Sequence, residues 1–443
     1  MTGARESGLE STSLFERAPP FNHTSRDAGE PAVQAPLDVS IVMPCLNEER
    51  PLPQCLLWAQ EALEILRERH GLSGEVVVSD NGSSDRSIEL AEAGGARVVH
   101  CPHKGYGNAL KYGVKQSRGR YIVIGDADGS YDFREAVAMV EKLMAGFDLC
   151  MGSRFKGKIL PGAMPWKNRY IGNPVLSGIL NVLFRSGMSD AHSGLRAFTR
   201  SGFKRIAPTS PGMEFASEIV IKATLMKLSR TEVPITLHKD LRQRPPHLRP
   251  WQDGWRHLRY LLMLSPVWLF FAPAALLGAA AALLFTLLLS TPEGKVVHIG
   301  PIWFGDHWSM IASAAATAAH WLLLVGLVST VLGVRERYRK LTPWLTWILR
   351  ICRLDNLLIV GAVMVIAAVA LLAYVVSVWQ SKHFGPLAMT RPLTMATTLG
   401  VLGIQSFFGG FLLSIAAGND ADGTLDIPAR RPGTTDYPPP ATD

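Results

Sequence analysis

Asp126 and Asp128 stand one residue apart, directly after the apolar run Tyr121-Ile122-Val123-Ile124-Gly125. A buried strand ending in two carboxylates presents two hard oxygen ligands outside its carboxyl end, where open α/β sheets collect their ligands. Such a pair suits Mg²⁺ or Mn²⁺ holding a substrate diphosphate. Asp-x-Asp triplets also arise by chance, and Asp420-Ala421-Asp422 in the polar C-terminal stretch is one. The strand in front of the first pair is what separates the two.

The elements that must position this pair follow from the texture of the chain. Residues 1–37 are rich in Ser, Pro, Gly, Glu and Arg without periodicity and read as a disordered lead-in. From Val39, short β-rich runs (Val39–Met43, Val76–Ser79, Arg97–Val99, Tyr121–Gly125, Leu149–Gly152) alternate with helical stretches (Leu52–His70, Arg86–Ala93, Gly107–Ser117, Arg134–Met144). Alternation with nearly unbroken apolar strands predicts a mostly parallel sheet covered on both faces. Polar residues follow three of these strands: Asn47 and Glu48, Asp80 and Asn81, Asp126 and Asp128. Three strands aiming polar groups at one edge make a site.

The second half is different material. Ser265–Ser290, Trp308–Val334, Asn356–Gln380 and Leu393–Gly418 contain no Lys, Arg, Asp or Glu. Each exceeds the ~20 residues that span a bilayer as a helix. A pair of buried soluble helices is the plainer alternative, but four such runs in succession exceed what it explains. Overall the chain is 48% hydrophobic and 19% charged, apolar for a soluble enzyme. Its net charge of +8 is concentrated beside the spans. Arg242, Arg244, Arg249, Arg256 and Arg259 precede the first; Arg335, Arg337, Arg339, Lys340, Arg350 and Arg353 lie between the second and third. The other two loops carry only Lys295, and Lys382 with Arg391. The basic loops mark the cytoplasmic side, so an integral membrane protein with its N-terminal domain and both termini in the cytoplasm is expected. Trp251–Leu264 mixes Trp251, Trp255 and Tyr260 with Arg256 and Arg259, a composition suited to a helix lying among headgroups. A plain linker with snorkelling arginines is its alternative. The domain expectation is therefore 1–37 lead-in, 38–241 α/β domain, 242–264 basic interfacial segment, 265–418 four-helix membrane domain and 419–443 disordered tail. Five scattered cysteines without CxxC spacing argue against a disulfide framework or a zinc site. No charged start followed by an apolar core suggests a cleaved signal peptide.

The N-terminal motifs resemble the family 2 glycosyltransferases. The matching pieces are Ile41-Val42-Met43-Pro44-Cys45-Leu46-Asn47-Glu48-Glu49, Asp80-Asn81-Gly82-Ser83-Ser84-Asp85, Lys104-Gly105-Tyr106-Gly107-Asn108-Ala109-Leu110 and Asp126-Ala127-Asp128, in that order. Gly152-Ser153-Arg154, Arg169 with Asn173 and Asn181, and Asp190-Ala191-His192-Ser193-Gly194-Leu195-Arg196-Ala197-Phe198 point further, to a resemblance with the polyprenyl-phosphate glycosyltransferases, the dolichol-phosphate mannose synthase-like group. The resemblance covers roughly Val39 to Leu241. It implies a GT-A, Rossmann-like catalytic domain. It also implies roles: Pro44, Asn47, Glu48, Asp80 and Asn81 on the nucleoside side, Lys104 and Gly105 supporting the donor, and Asp126 and Asp128 on Mg²⁺ or Mn²⁺. Arg154, Arg169 and Asn173 would receive a lipid phosphate, and Arg196 would sit near the diphosphate. Related enzymes often carry Gln two residues after the second Asp; here it is Ser130. The absence of Gln-x-x-Arg-Trp argues against the processive, cellulose-synthase-like branch.

The resemblance implies transfer of a single hexose, glucose or mannose, from a nucleotide-diphosphate sugar to undecaprenyl or dolichyl phosphate with inversion, feeding a cell-envelope glycan. The barrier in such a transfer is the charge building on the departing nucleoside diphosphate, which a divalent ion and fixed cations stabilise. A phosphate monoester has a second pKa near ~6 and is already nucleophilic at neutral pH, so no general base is expected and Asp190 is read as structural or positioning. Partners expected are the nucleotide sugar, the polyprenyl-phosphate lipid and the membrane, with no nucleic acid; a homo-oligomer is left open. Transfer to another lipid such as diacylglycerol, or a lipid-translocating or scaffolding protein with a degenerate transferase domain, are the competing readings.

Overall fold

The computed structural model describes residues 37–242, 250–336, 338–340, 342–385 and 389–418. The expected disordered lead-in and tail lie outside them, as do Arg244, Arg249 and the side chain of Trp251 in the basic segment. The N-terminal half builds strands β1 (Val39–Cys45), β2 (Gly74–Asp80), β3 (Arg97–His100), β4 (Tyr121–Ile124), β5 (Leu149–Ile159), β6 (Arg196–Thr199) and β7 (Arg230–Leu237). Helices α1 (Leu52–His70), α2 (Ser87–Ala93), α3 (Tyr106–Gln116), α4 (Ala136–Met144), α5 (Asn173–Phe184), α6 (Arg200–Ile206) and α7 (Phe215–Leu225) join them.

The seven strands form one sheet in the order β3-β2-β1-β4-β6-β5-β7. Pairs β1–β2, β2–β3, β1–β4 and β5–β7 are parallel, whereas β6 is antiparallel to both β4 and β5. Two reversals in succession return β5 and β7 to the direction of β4. Only β6 runs backwards, so six strands deliver their carboxyl ends to one edge, and β6 begins there. The mostly parallel expectation holds, with β6 and β7 as elements that strand-helix alternation did not reveal.

Alternate residues of the central strands feed two cores. Ile41, Met43 and Val123 pack with α1 and α4, while Val42, Ile122 and Ile124 pack with α3, α5 and α7. Burial on both faces is why these strands read as unbroken apolar runs. The second core also takes Leu261 of α8 (Pro250–Met263), Leu264 just after it, and Tyr338, so the segment before the membrane and a loop beyond it are packed onto the catalytic half.

Inside that second core Glu218 of α7 pairs with Lys222 at 2.6 Å and accepts the backbone N–H groups of Thr209 and Ser210 at 2.8 and 2.7 Å. Burial alone would raise its pKa, but Lys222 and these backbone donors hold it down at about 2. A carboxylate depressed in the fold contributes stability above its unfolded value and loses it as pH falls towards the folded one, here about 3 kcal/mol. Glu218→Gln is therefore expected to lower the thermal unfolding temperature of the full-length protein most at pH 7. The gap should close between about pH 4.5 and pH 2; a gap constant with pH would contradict the pairing.

Four helices are long and apolar enough to cross a membrane: Val267–Leu289, which includes α9 (Ala272–Leu289), then α10 (Trp308–Arg335), α12 (Leu354–Ser381) and α13 (Thr390–Ala417). A short α11 (Pro343–Ile351) lies between the second and third, and a hairpin of β8 (Val297–Ile299) and β9 (Ile302–Phe304) between the first and second. The helices extend beyond the charge-free runs, so α13 begins before Arg391 and α12 before Asp355. Arg391 is buried against Asp306 at 2.7 Å. Backbones of α12 and α13 meet at Gly361 and Gly403, where any Cβ would press on the opposing glycine's carbonyl oxygen. Hydrogen bonds Ser313–Thr398 (2.7 Å) and His320–Ser406 (3.0 Å) join α10 to α13.

Candidate active site

The loops after β1 and β2, and the loop before α3, are laced together by the residues expected on the donor side. Asn47 takes a left-handed conformation at φ 58° as it leaves β1. Its N–H donates to Ser83 Oγ (3.0 Å) and its Oδ1 accepts from Ser84 N (2.7 Å). Asp80 accepts from the backbone N–H groups of Gly82 and Ser83 at 3.1 and 2.9 Å. Burial would raise its pKa, but these hydrogen bonds keep it below the ordinary carboxylate value. Asn81 bridges onward: its Nδ2 donates to His103 O (2.9 Å) and its Oδ1 accepts from Gly105 N (2.8 Å). Gly105 sits at φ 126°, and a Cβ there would lie 2.5 Å from Pro211 O, so the close approach requires glycine. Lys104 Nζ lies over Gly82. Pro44 stays within β1, opposite Ser79. The side chains of Asn47 and Asn81 are thus spent on shaping one surface from three loops.

Asp126 and Asp128 follow β4 at the centre of this edge. Asp126 Oδ1 accepts from Tyr106 O–H (2.9 Å), and its Oδ2 faces Gly194, where a Cβ would come within 2.3 Å. Burial, then repulsion from Asp128, pushes the Asp126 carboxyl up to about 6. Asp128 Oδ1 accepts from Ser130 N (2.9 Å). So the residue that replaces the relatives' frequent Gln braces Asp128 through its backbone. Among the described residues no group of three or more His, Cys, Asp or Glu could hold a metal. Two carboxylates suit a hard cation that completes its shell with substrate phosphate oxygens and water, the usual habit of Mg²⁺. Repulsion between the two carboxylates, second to burial in raising Asp126, is relieved by positive charge beside them.

Arg242 supplies such charge. From the loop after β7 its guanidinium reaches Glu48 through Nη2 (2.7 Å) and Nε (3.0 Å), and Asp128 through Nη2 (3.3 Å). Glu48, expected beside the nucleoside, is buried and pairs with this arginine. Sequence reasoning counted Arg242 only among the membrane-flanking charges. The signal for it was β7: Val233, Ile235 and Leu237 alternate inward, and a strand there delivers Arg242 to the active edge. Arg242→Ala removes two charge-assisted hydrogen bonds to the buried Glu48, a loss of about 2 kcal/mol. We expect a lowered unfolding temperature in EDTA and a larger rise on adding Mn²⁺ than in the parent. An equal Mn²⁺ response in both proteins would contradict the shared position at Asp128.

Strand β5 shifts register against β7 between Ser153 and Lys158, and this irregular stretch carries Arg154. Its Nε and Nη2 each donate to Asp190 at 2.7 Å, and its backbone N–H donates to the same carboxylate at 3.0 Å. Both residues are buried. The fork of Arg154 expected to grip phosphate bidentately is therefore committed to Asp190, leaving Nη1. A cavity of about 330 Å³ is lined by Arg154, Phe155, Gly157, Ile159, Arg169, Tyr170 and Pro174, bringing the two predicted acceptor arginines together. The Arg169 guanidinium lies 5.4 Å from the ring centre of Tyr170. Asn173 begins α5 and donates to Met164 Sδ at 3.5 Å; it does not line the cavity. Asn181 closes the turn after α5 through Ser186, Gly187 and Met188. Arg196, expected near the diphosphate, is buried at the start of β6 and donates to the carbonyls of Ser193 and Ala216 (both 2.7 Å) and Ala191 (3.4 Å). Three backbone carbonyls engage this guanidinium, which braces the Ser193 and Ala216 turns.

Residues 40–207 match the family model for glycosyl transferase family 2, and residues 327–417 match its C-terminal transmembrane region. The low-salt glycan biosynthesis hexosyltransferase Agl6 of Haloferax volcanii is 38% identical over 85% of this chain and 88% of that protein. The chain belongs to glycosyltransferase family 2. A dolichyl-phosphate beta-glucosyltransferase of Dictyostelium discoideum is 27% identical over 43% of this chain and 63% of its own length. Among solved structures, glucosyl-3-phosphoglycerate synthase from Mycobacterium tuberculosis, with Mn²⁺ and UDP-glucose, is 21% identical over 51% of this chain and 78% of that one, with a TM-score of 0.40. This protein is thus a glycosyltransferase with a GT-A catalytic domain, built into the membrane by four apolar helices.

Proposed function

We propose that this family 2 enzyme transfers one hexosyl unit from a nucleotide-diphosphate sugar to a polyprenyl phosphate with inversion. The observation that carries the reading is the cavity that Arg154 and Arg169 share: two arginines set among Phe155, Ile159, Tyr170 and Pro174 suit a phosphate attached to an apolar chain. Trp166, Tyr170, Ile171, Val175 and Val182 on and before α5 are exposed, an apolar surface for a substrate whose tail stays in the bilayer. The names of Agl6 and of the Dictyostelium glucosyltransferase support a hexose and an isoprenoid phosphate.

In this reading Arg169, with Nη1 of Arg154, orients the acceptor phosphate, a dianion at neutral pH. One of its oxygens attacks the anomeric carbon, and the bond from that carbon to the nucleoside diphosphate breaks. Asp126 and Asp128 would hold a divalent ion that stabilises the charge on the leaving diphosphate. Arg242, 3.3 Å from Asp128, adds a second positive charge on the same side. Tyr338, between the second and third membrane helices, packs into the catalytic core, so that connection and the catalytic domain share one end of the bundle. Their arginines favour the cytoplasmic side for that end, with the donor cleft held against the inner leaflet.

The test offers purified full-length enzyme a polyprenyl phosphate, the matching polyprenol and diacylglycerol with labelled nucleotide sugars. The phosphate alone is expected to be glycosylated. Transfer to diacylglycerol, or lipid movement without chemistry, would replace this reading by one of its competitors.

A further inference from the structure

The loop Ser189–Gly194, before β6, touches both halves of the site. Asp190 holds Arg154, and Gly194 backs Asp126. The loop is pinned by Glu232 of β7, which accepts the N–H groups of Ser189 and Asp190 (2.7 and 3.1 Å), by Ser177 of α5, and by Tyr131 O–H, which accepts from Gly194 N (2.9 Å). A further attachment leads away from the site. His192 Nε2 lies 3.0 Å from Ser217 Oγ on α7, and Ser217 Oγ lies 2.8 Å from His257 Nδ1 on α8. The two imidazoles stand perpendicular with centres 5.2 Å apart. Ser217 and His257 are buried, and His192 Nδ1 is buried without a partner among the described residues.

Burial lowers the His192 pKa well below its ordinary value, so the ring is neutral and carries one N–H. An orphaned buried N–H is costlier than an orphaned lone pair. The proton therefore belongs on Nε2, donating to Ser217, whose O–H donates in turn to His257 Nδ1. At its far end α8 is fixed by the membrane domain: Arg339, from the loop after α10, donates to Leu264 O at 2.8 Å. One continuous set of contacts thus runs from the membrane bundle through α8 to the loop that carries Asp190.

We propose that His257, Ser217 and His192 are positioning residues, transmitting the seating of α8 on the membrane domain to the loop that orients Arg154 and backs Asp126. A coupling claim of this kind requires a direct measurement at the far end. Hydrogen–deuterium exchange on the full-length protein in lipid nanodiscs reads the amides of Ser189, Asp190, Ala191 and Gly194, each hydrogen-bonded to a side chain elsewhere in the fold. Ser217→Ala and His257→Leu are expected to speed exchange there about tenfold, the scale of one lost buried hydrogen bond. His257→Asn, which keeps an acceptor near the Nδ1 position, should stay within about twofold of the parent. Unchanged exchange at residues 189–194 in Ser217→Ala and His257→Leu, or a change confined to α7 and α8, overturns the proposal. If Ser217→Ala does not fold, the comparison of His257→Leu with His257→Asn decides alone, and equal exchange in the two is contrary.

A second arm, which rests on the proposed reaction, follows turnover with polyprenyl phosphate. Here Ser217→Ala and His257→Leu should lose about tenfold in kcat/KM for the acceptor with donor KM unchanged. Faster exchange in an enzyme whose parent glycosylates no polyprenyl phosphate would refute the reaction and leave the coupling standing.

Discussion

Asp128→Asn is expected to lower sugar transfer by about 10³-fold at saturating Mn²⁺, equivalent to several kcal/mol of lost leaving-group stabilisation. The substitution is nearly isosteric, and its amide oxygen still accepts from Ser130 N, so the turn after β4 survives. What it removes is one negative charge from a centre where Asp126 already feels its neighbour's repulsion. Asn is a poor ligand for a hard dication, and Arg242 loses one of its two anionic partners. The unfolding temperature should change little while kcat collapses. A variant with parental kcat would mean that Asp128 holds nothing during the reaction.

The second large effect separates two arginines that share one cavity. Asp190→Ala strands Arg154, a buried guanidinium whose Nε and Nη2 both rest on that carboxylate. Breaking such a pair from one side costs about 3–5 kcal/mol, to be read as a lowered unfolding temperature of the full-length protein. Arg169 makes no such bond among the described residues, where its guanidinium lies over the face of Tyr170. Arg169→Ala should leave stability within about 0.5 kcal/mol and raise the acceptor KM about 10²-fold, the loss of a charge-assisted phosphate contact. If instead Arg169→Ala unfolds the protein and Asp190→Ala leaves it intact, the division into brace and ligand is reversed.

Much of this was legible in the sequence because its physics is local. Unbroken apolar strands announced the two-sided sheet, and charge-free runs announced the spans. Polar residues just past β1, β2 and β4 marked the active edge, since a parallel sheet aligns its strand ends by construction. What was hidden depends on contacts distant in sequence. Strand β6 is four residues long and antiparallel, so no alternation revealed that Arg196 begins it and turns inward. Arg154 matched a motif, but only the fold brings Asp190, 36 residues on, against its fork. Arg242 stands 194 residues from Glu48, and as a sequence letter it was one more basic residue before a membrane. His257 likewise read as part of an interfacial helix until α7 placed Ser217 beside it.

The proposed reaction transfers a sugar to a lipid phosphate with the help of the two carboxylates after β4. Membranes containing the full-length enzyme, supplied with a panel of labelled nucleotide sugars with and without EDTA, test it most directly. One donor should yield a labelled product that extracts into organic solvent and releases its sugar in mild acid, as a glycosyl phosphate does, and EDTA should abolish it. A labelled lipid that survives mild acid, or one formed equally well in EDTA, would contradict the account.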